Sequence, residues 1–241
     1  MFDFIIRALR HPIDYSGMFS KRALVLQEII RESETIYSFI FKPTEDYTWE
    51  AGQHGVFYFP NKKIIGKTWR AFSIASTPQE GVIRISTIIT ENASDFKKQL
   101  LSLEQGDTLT MHGPFGEFHT SKRTGHIVGI AGGIGITPFR ALIKSIASGV
   151  TPNTKITLIY SAVGTYTFRK EFDTLSQNAA IEIIYTATPE EVNEALSAQI
   201  ALHKNNASYF VSGSPGMIGA IRKTLKAKGI QHVVSDPFKG Y

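Results

Sequence analysis

The chain of 241 residues contains no cysteine. That absence excludes disulfides, a thiolate nucleophile, cysteine-ligated zinc and an iron–sulfur cluster held by this chain. The seven histidines (His11, His54, His112, His119, His126, His203 and His232) include no His-x-x-x-His pair. No cluster of histidines and carboxylates has metal-ligand spacing either, so no metal is expected. Apolar runs stop short of the roughly 20 residues that span a bilayer, so no transmembrane segment is expected. Long Lys/Arg runs and basic-aromatic stripes are missing as well, and nucleic acid is not an expected partner despite a net charge of +5. Residues Met1 to Arg10 hold a short apolar patch broken by Asp3 and Arg7, without a signal-peptide core or cleavage site. They read as a leader or short helix over 1–20, with a seat on a membrane surface as the alternative, and the protein is expected to be cytoplasmic.

What is present divides near residues 118–125. Before that point, alternating apolar and polar runs at Lys21 to Ile30, Ile36 to Lys42, Gly55 to Phe59, Val82 to Thr90 and Thr108 to His112 lie between Pro, Gly and Asn turns. This predicts an antiparallel six-stranded β-barrel over 21–120, interrupted by one helix at Ser94 to Leu103, where Ser94 can cap and Phe96, Leu100 and Leu103 share a face. After Gly125 the strands become nearly all-apolar (His126 to Ala131, Ile156 to Tyr160, Ile181 to Tyr185, Tyr209 to Val211) and alternate with helical stretches at Phe168 to Gln177, Pro189 to His203 and Pro215 to Lys228. That rhythm predicts an α/β domain over 121–241, a doubly wound, parallel five-stranded sheet.

Two glycine-rich strand-to-helix turns lie in the second half, Ala131-Gly-Gly-Ile-Gly-Ile-Thr-Pro138 and Val211-Ser-Gly-Ser-Pro-Gly-Met217. In the first, Thr137 can cap the helix that follows, Pro138 suits the first helical turn, and Gly149 suits the left-handed position that ends it. Glycines there let backbone amides approach a ligand, and with the helix dipole they form an anion site suited to a dinucleotide pyrophosphate. Neither turn is the G-x-G-x-x-G fingerprint, since Pro138 stands at the third glycine position.

With Arg70-Ala71-Phe72-Ser73 upstream, the chain from Lys21 to Tyr241 resembles the ferredoxin–NADP reductase superfamily. The resemblance implies a flavin-binding barrel followed by a nicotinamide-binding α/β domain. Arg70-Ala71-Phe72-Ser73 is similar to the family's Arg-x-Tyr-Ser motif. By that likeness Arg70 neutralises the flavin pyrophosphate, Phe72 lies against the isoalloxazine and Ser73 hydrogen-bonds near N5. Thr87-Ile88 matches the strand giving backbone contacts to the flavin, and Ala93-Ser94 the helix start beneath the pyrophosphate. Gly132, Gly133, Gly135, Ile136, Thr137 and Pro138 match the Gly-x-Gly-x-x-Pro turn. Ser212, Gly213, Ser214, Pro215 and Met217 resemble its Cys-Gly-Pro-x-x-Met, with Ser212 in place of the cysteine and Pro215 displaced by one position. Ser73 and Ser212 are the expected catalytic pair. Phe238 or Tyr241 is the candidate aromatic cover of the flavin, with Asp236 as a proton relay.

The implied reaction is hydride transfer from NADPH or NADH to FAD, with FMN as the less favoured flavin, and then onward to a separate acceptor. Ser161 and Arg169 lean towards NADPH, because no carboxylate follows the second strand of the α/β domain to hold a ribose. A ferredoxin, a flavodoxin or an oxygenase component fits as acceptor, and the sequence pI near 9.3 suits a small acidic carrier. Three other readings stay open. One is a free-flavin or ferric reductase, another a flavin-binding subunit without turnover. The third is a hydrolase using Ser214, whose surroundings are similar to Gly-x-Ser-x-Gly without its first glycine.

Overall fold

A computed structural model of the chain describes residues 8–9, 11–121 and 125–236. Two compact units divide it, Met1–His119 and Thr120–Tyr241.

The first unit is a curled antiparallel sheet of six strands: β1 (Lys21–Arg31), β2 (Ile36–Pro43), β3 (His54–Tyr58), β4 (Trp69–Ser73), β5 (Ile83–Ile88) and β6 (Thr108–Phe115). Their order across the sheet is β4-β3-β6-β1-β2-β5. The curl brings the residues after β4 to the far edge. There Ala75 N–H donates to the Arg84 carbonyl of β5 at 2.7 Å and Arg84 N–H to Ser76 Oγ at 2.9 Å. Inward positions come from the period-2 alternation of each strand, and Leu24, Leu26, Phe39, Phe41, Phe57, Ile83, Ile85, Leu109 and Met111 form one core. A short helix, α1 (Pro12–Tyr15), precedes the sheet, and α2 (Asp95–Leu101) closes one end by burying Phe96 and Leu100.

The second unit is a parallel sheet, β7 (Gly125–Gly132), β8 (Thr154–Ser161), β9 (Ile181–Thr186), β10 (Ala207–Ser212) and β11 (Val233–Ser235), ordered β11-β10-β7-β8-β9. Helices α3 (Thr137–Ala147), α4 (Arg169–Leu175), α5 (Pro189–His203) and α6 (Pro215–Ala227) connect the strands. The order reverses between β7 and β10, the switch point at which such sheets bind ligands. Both glycine-rich turns leave the carboxyl ends of those two strands.

Local chemistry explains the ends. Helix α5 opens on a capping box in which Thr188 Oγ1 accepts from Glu191 N–H at 3.2 Å. Gly149 takes φ +72° beyond α3, the left-handed residue expected there. Thr137, expected to cap α3, instead lies in its first turn and donates Oγ1–H back to the Ile134 carbonyl at 2.7 Å. The single turn over Gly133–Ile136 moves the helix entry upstream and leaves no amide for the hydroxyl to accept from.

At the amino end of the parallel sheet the His126 and His203 rings stack with centroids 3.9 Å apart. His126 Nε2 lies 3.0 Å from Thr157 Oγ1, and that hydroxyl donates to Glu182 Oε2 at 2.8 Å. The Thr157 proton is therefore spent on Glu182, and His126 supplies the other one as a neutral Nε2–H tautomer. Burial, and next the neighbouring His203, hold the His126 pKa below 6.5, with Glu182 opposing. The unfolded chain then takes up a proton that the folded one refuses, so this site's stabilisation is present above 6.5 and is lost as pH falls below it. His126→Gln keeps a donor for Thr157. Thermal melts of that variant are expected to fall less steeply between about pH 7 and pH 5.5 than those of the parent; equal slopes would remove the stack from the pH response.

Candidate functional site

In β4 the side chains alternate, so Arg70 and Phe72 share a face. Both meet Phe96 of α2. The Arg70 guanidinium carbon sits 5.6 Å from its ring centroid, and the Phe72 ring lies 6.2 Å from Phe96 and 5.6 Å from Phe57. Phe72 is thus part of the barrel core at 8% exposure. Arg70 is equally buried, and its Nη1 donates to the carbonyls of Lys67 and Trp69, each at 2.8 Å. Ala71 is half-buried between them, and Ser73 is buried opposite His54 of β3. Thr87 is buried near the end of β5, whereas Ile88 is exposed and its carbonyl accepts from Lys97 Nζ at 3.0 Å. Ala93 packs against the core, and Ser94 stands at the start of α2.

The electrostatics of this corner ask for an anion. Lys67 and Lys97 both have their pKa lowered, first by burial and next by the charge of Arg70. Both lysines therefore lie within Coulombic reach of Arg70. Asp95 begins α2, but its Oδ2 accepts the Ile65 amide at 2.8 Å. The buried Ser94 hydroxyl, expected to cap α2, makes no cap bond and has no hydrogen-bond partner. A buried hydroxyl without a partner is costly. A diphosphate held here would relieve the repulsion and could accept from the orphaned hydroxyl, so the chemistry of these residues fits the pyrophosphate of a flavin dinucleotide.

In the second unit the two glycine turns touch through backbone. A Cβ on Gly135 would stand 2.5 Å from the Ser212 carbonyl carbon and oxygen and 2.6 Å from the Gly213 nitrogen. Gly132 and Gly213 are both approached by Met217 Sδ, and Ile136, Thr137 and Pro138 are buried at the start of α3. Ser212 is 2% exposed, and its Oγ donates to Asp236 Oδ2 at 3.0 Å. Asp236 N–H in turn donates to the Val211 carbonyl at 3.0 Å. The Ser212 proton is thus committed, and its oxygen is left as an acceptor. Ser214 caps α6 by accepting from Met217 N–H at 3.3 Å, with Pro215 in the first helical turn. Its φ of −65° is ordinary extended backbone, unlike the strained elbow that presents a hydrolase serine.

Ser161 ends β8, and Arg169 begins α4. The Arg169 guanidinium lies over the Tyr185 ring at 4.7 Å and the Tyr166 ring at 5.5 Å. Its Nε is 3.6 Å from Asp173 Oδ2, while Asp173 Oδ1 accepts from Tyr185 OH at 2.8 Å. Burial, then that bond to the Asp173 carboxylate, raise the Tyr185 pKa.

Sequence reasoning named Arg70 and Ser94 but missed Lys67 and Lys97, each three residues from one of them. It missed Asp173, Tyr166 and Tyr185 around Arg169, where Arg169 and Asp173 at i, i+4 were a readable signal. Phe238 and Tyr241 lie outside the described residues.

Residues 130–223 match a family described as the oxidoreductase NAD-binding domain. Among solved structures, a ferredoxin NADP+ reductase from Neisseria gonorrhoeae with bound FAD and NADP superimposes with a TM-score of 0.74 at 18% identity, covering 90% of this chain and 98% of that one. The chain shares the two-domain fold of that reductase, and its second unit carries the matched oxidoreductase NAD-binding domain. In sequence, it is 27% identical over 236 residues to NADH-cytochrome b5 reductase 1 of Laccaria bicolor, covering 89% of this chain and 74% of that protein. It is 26% identical over 228 residues to a component of the Na(+)-translocating NADH-quinone reductase of Pseudoalteromonas atlantica, covering 83% of this chain. The chain spans 56% of that component's length.

Proposed function

We propose that the protein is an NAD(P)H-dependent flavoprotein reductase that passes electrons through FAD to a separate acceptor, a ferredoxin, a flavodoxin or an oxygenase component. The observation that carries this reading is the cluster of Lys67 and Lys97 beside Arg70, in the unit that also holds the partnerless Ser94 hydroxyl at the start of α2 and that precedes the switch-point glycine turns. The named relatives, reductases of cytochrome b5 and of quinone, support the same class.

When bound, a flavin would supply the redox chemistry, taking a hydride from a reduced nicotinamide and giving up its electrons singly or in pairs. The residues of this chain bind and orient. Arg70, with its guanidinium fork, and the two lysines neutralise the flavin phosphates, while Ser94 donates to a phosphate oxygen. Ser73 offers a hydroxyl near the reacting ring edge. Phe72, lacking the tyrosine hydroxyl, backs the site with an apolar face. In the second unit the Gly132 to Pro138 turn and the α3 amides take the nicotinamide diphosphate, and Ser212, its proton held by Asp236, keeps a lone pair towards the nicotinamide. Arg169 and Ser161 would read an adenosine 2′-phosphate, and Arg169 is already paired with Asp173. Asp173→Asn is expected to raise the NADPH preference over NADH by up to about fivefold, the worth of one exposed ion pair. Unchanged ratios of kcat/KM for the two donors would take Arg169 out of the selectivity.

The reading is tested by anaerobic visible spectra of the flavin-reconstituted protein, before and after NADPH or NADH. Bleaching of the flavin bands by either donor is the expected result. A bound flavin that neither donor bleaches would replace the reductase with a protein lacking turnover.

A further inference from the structure

In the second unit a buried ion pair ties α3 to α4. Arg140, on the first turn of α3, is 3% exposed. Its Nε donates to Glu171 Oε2 at 2.7 Å and its Nη2 to Glu171 Oε1 at 2.8 Å, a two-point fork, and Lys144 Nζ stands 3.4 Å from the same carboxylate. Glu171 lies on the first turn of α4, just beyond Arg169. Helix α3 follows directly from the Gly133–Ile136 turn, so the pair joins the element that leaves the first glycine turn to the element that carries Arg169. The entry to α4 is held in a form the chain does not adopt by itself. Phe168, immediately before the helix, has φ +66°, a left-handed value that a bulky residue avoids. Such a conformation persists only where its surroundings fix it. Here the Thr167 amide donates to Tyr160 OH of β8 at 3.0 Å, and the buried Phe168 ring has the Arg140 guanidinium 5.6 Å from its centroid. The stretch that ends at Arg169 is thus anchored to β8 on one side and to α3 on the other.

Burying an ion pair is a poor route to stability, since apolar residues of the same volume often serve as well. What the fork supplies is a fixed distance and angle between two helices. A 2′-phosphorylated dinucleotide calls for that, because its diphosphate and its 2′-phosphate are carried by the same ribose. A turn that takes the first and an arginine that takes the second must therefore stand at a set spacing. On the role proposed above for Arg169, we infer that Arg140 and Glu171 are positioning residues for donor selectivity, and that their pair holds Arg169 at the spacing from the glycine turn that a 2′-phosphorylated dinucleotide requires.

The test titrates the flavin-reconstituted full chain with 2′,5′-ADP and with 5′-AMP by calorimetry, beside thermal melts. The parent is expected to bind 2′,5′-ADP more tightly, and Arg169→Ala to lose that preference. Arg140→Met fills the buried volume and leaves Glu171 against Lys144. Its melt should stay near the parent's while the preference for 2′,5′-ADP falls about fivefold and the affinity for 5′-AMP holds. Arg140→Lys keeps the charge without the fork and should fall between the two. Added to Arg169→Ala, Arg140→Met should change the preference no further, because it acts through Arg169. Glu171→Gln opens the same link from the other side and carries the same expectation should Arg140→Met fail to fold. A lowered melt with the preference intact, in whichever variant folds, would make the pair structural only and overturn the inference. So would a further fall in the Arg169→Ala background. A parent that does not distinguish the two nucleotides would remove the role of Arg169 and the inference with it. A preference lost in Arg169→Ala but kept in Arg140→Met would remove the inference alone.

Discussion

Replacing Arg70 with alanine is expected to weaken FAD binding roughly ten- to a hundredfold, because hydrogen bonds to charged groups contribute about 1.5–3 kcal/mol. The side chain is 7% exposed, and its position is fixed before any ligand arrives, since Nη1 donates to Lys67 and Trp69 carbonyls and the guanidinium lies over Phe96. A donor held in place loses little entropy on binding, which puts the effect towards the upper end. Two effects oppose it. Removing Arg70 also removes a charge that pushes Lys67 and Lys97 down, so both lysines regain affinity for phosphate. Water can reach the carbonyl of Trp69, which is 42% exposed, and this limits the structural damage. Arg70→Lys keeps the charge but not the fork, so it should fall between alanine and the parent. Flavin-to-protein ratios after purification and a titration of the apoprotein with FAD decide the matter. Full flavin content in the alanine variant would remove Arg70 from the site.

How much of this was legible in the sequence depended on range. Strands with strong alternation, such as Ile36–Pro43, and buried parallel strands such as Thr154–Ser161 announced themselves through periodicity, because each side chain's face is set by its own strand. Strand β4 was harder to see, being five residues that begin with Trp69-Arg70 after a lysine-rich loop; its partner β3 supplies the pairing. β11 is three residues long and exists only as an addition to β10. The same limit applies to the site. Arg70 and Ser94 could be named from motifs, but that Lys67 and Lys97 converge on Arg70 follows from how β4 and α2 fold around the core, which spacing does not encode. Ser94 shows the reverse failure. Its type and position predicted a capping bond, and the hydroxyl is instead buried without a partner, a departure from local preference of the kind expected at functional positions.

Gly135→Ala is the second large effect, and it reads the glycine turns of the second unit. The added Cβ would meet Ser212 carbonyl atoms at 2.5 Å and the Gly213 nitrogen at 2.6 Å, all of them backbone, so no side chain can swing aside. Either β10 shifts away from the Gly133–Ile136 turn, or the turn lifts and carries the start of α3 with it. Overpacking of this kind costs about 1–3 kcal/mol, and an unyielding backbone neighbour places it at the top of that range. The second unit should melt roughly 5–15 °C lower. KM for NAD(P)H should rise at least about tenfold, because the displaced atoms belong to both turns that we propose cradle the dinucleotide. Gly133→Ala provides the contrast. Gly133 has φ +52° and open space around its Cβ direction, so its cost is dihedral strain alone, about 1–2 kcal/mol, with no force separating the two turns. The pair therefore distinguishes contact from conformation. A large KM change for Gly135→Ala beside a modest one for Gly133→Ala is the expected result. Parent-like melting and KM in Gly135→Ala would mean that the turns after β7 and β10 do not interlock at Ser212.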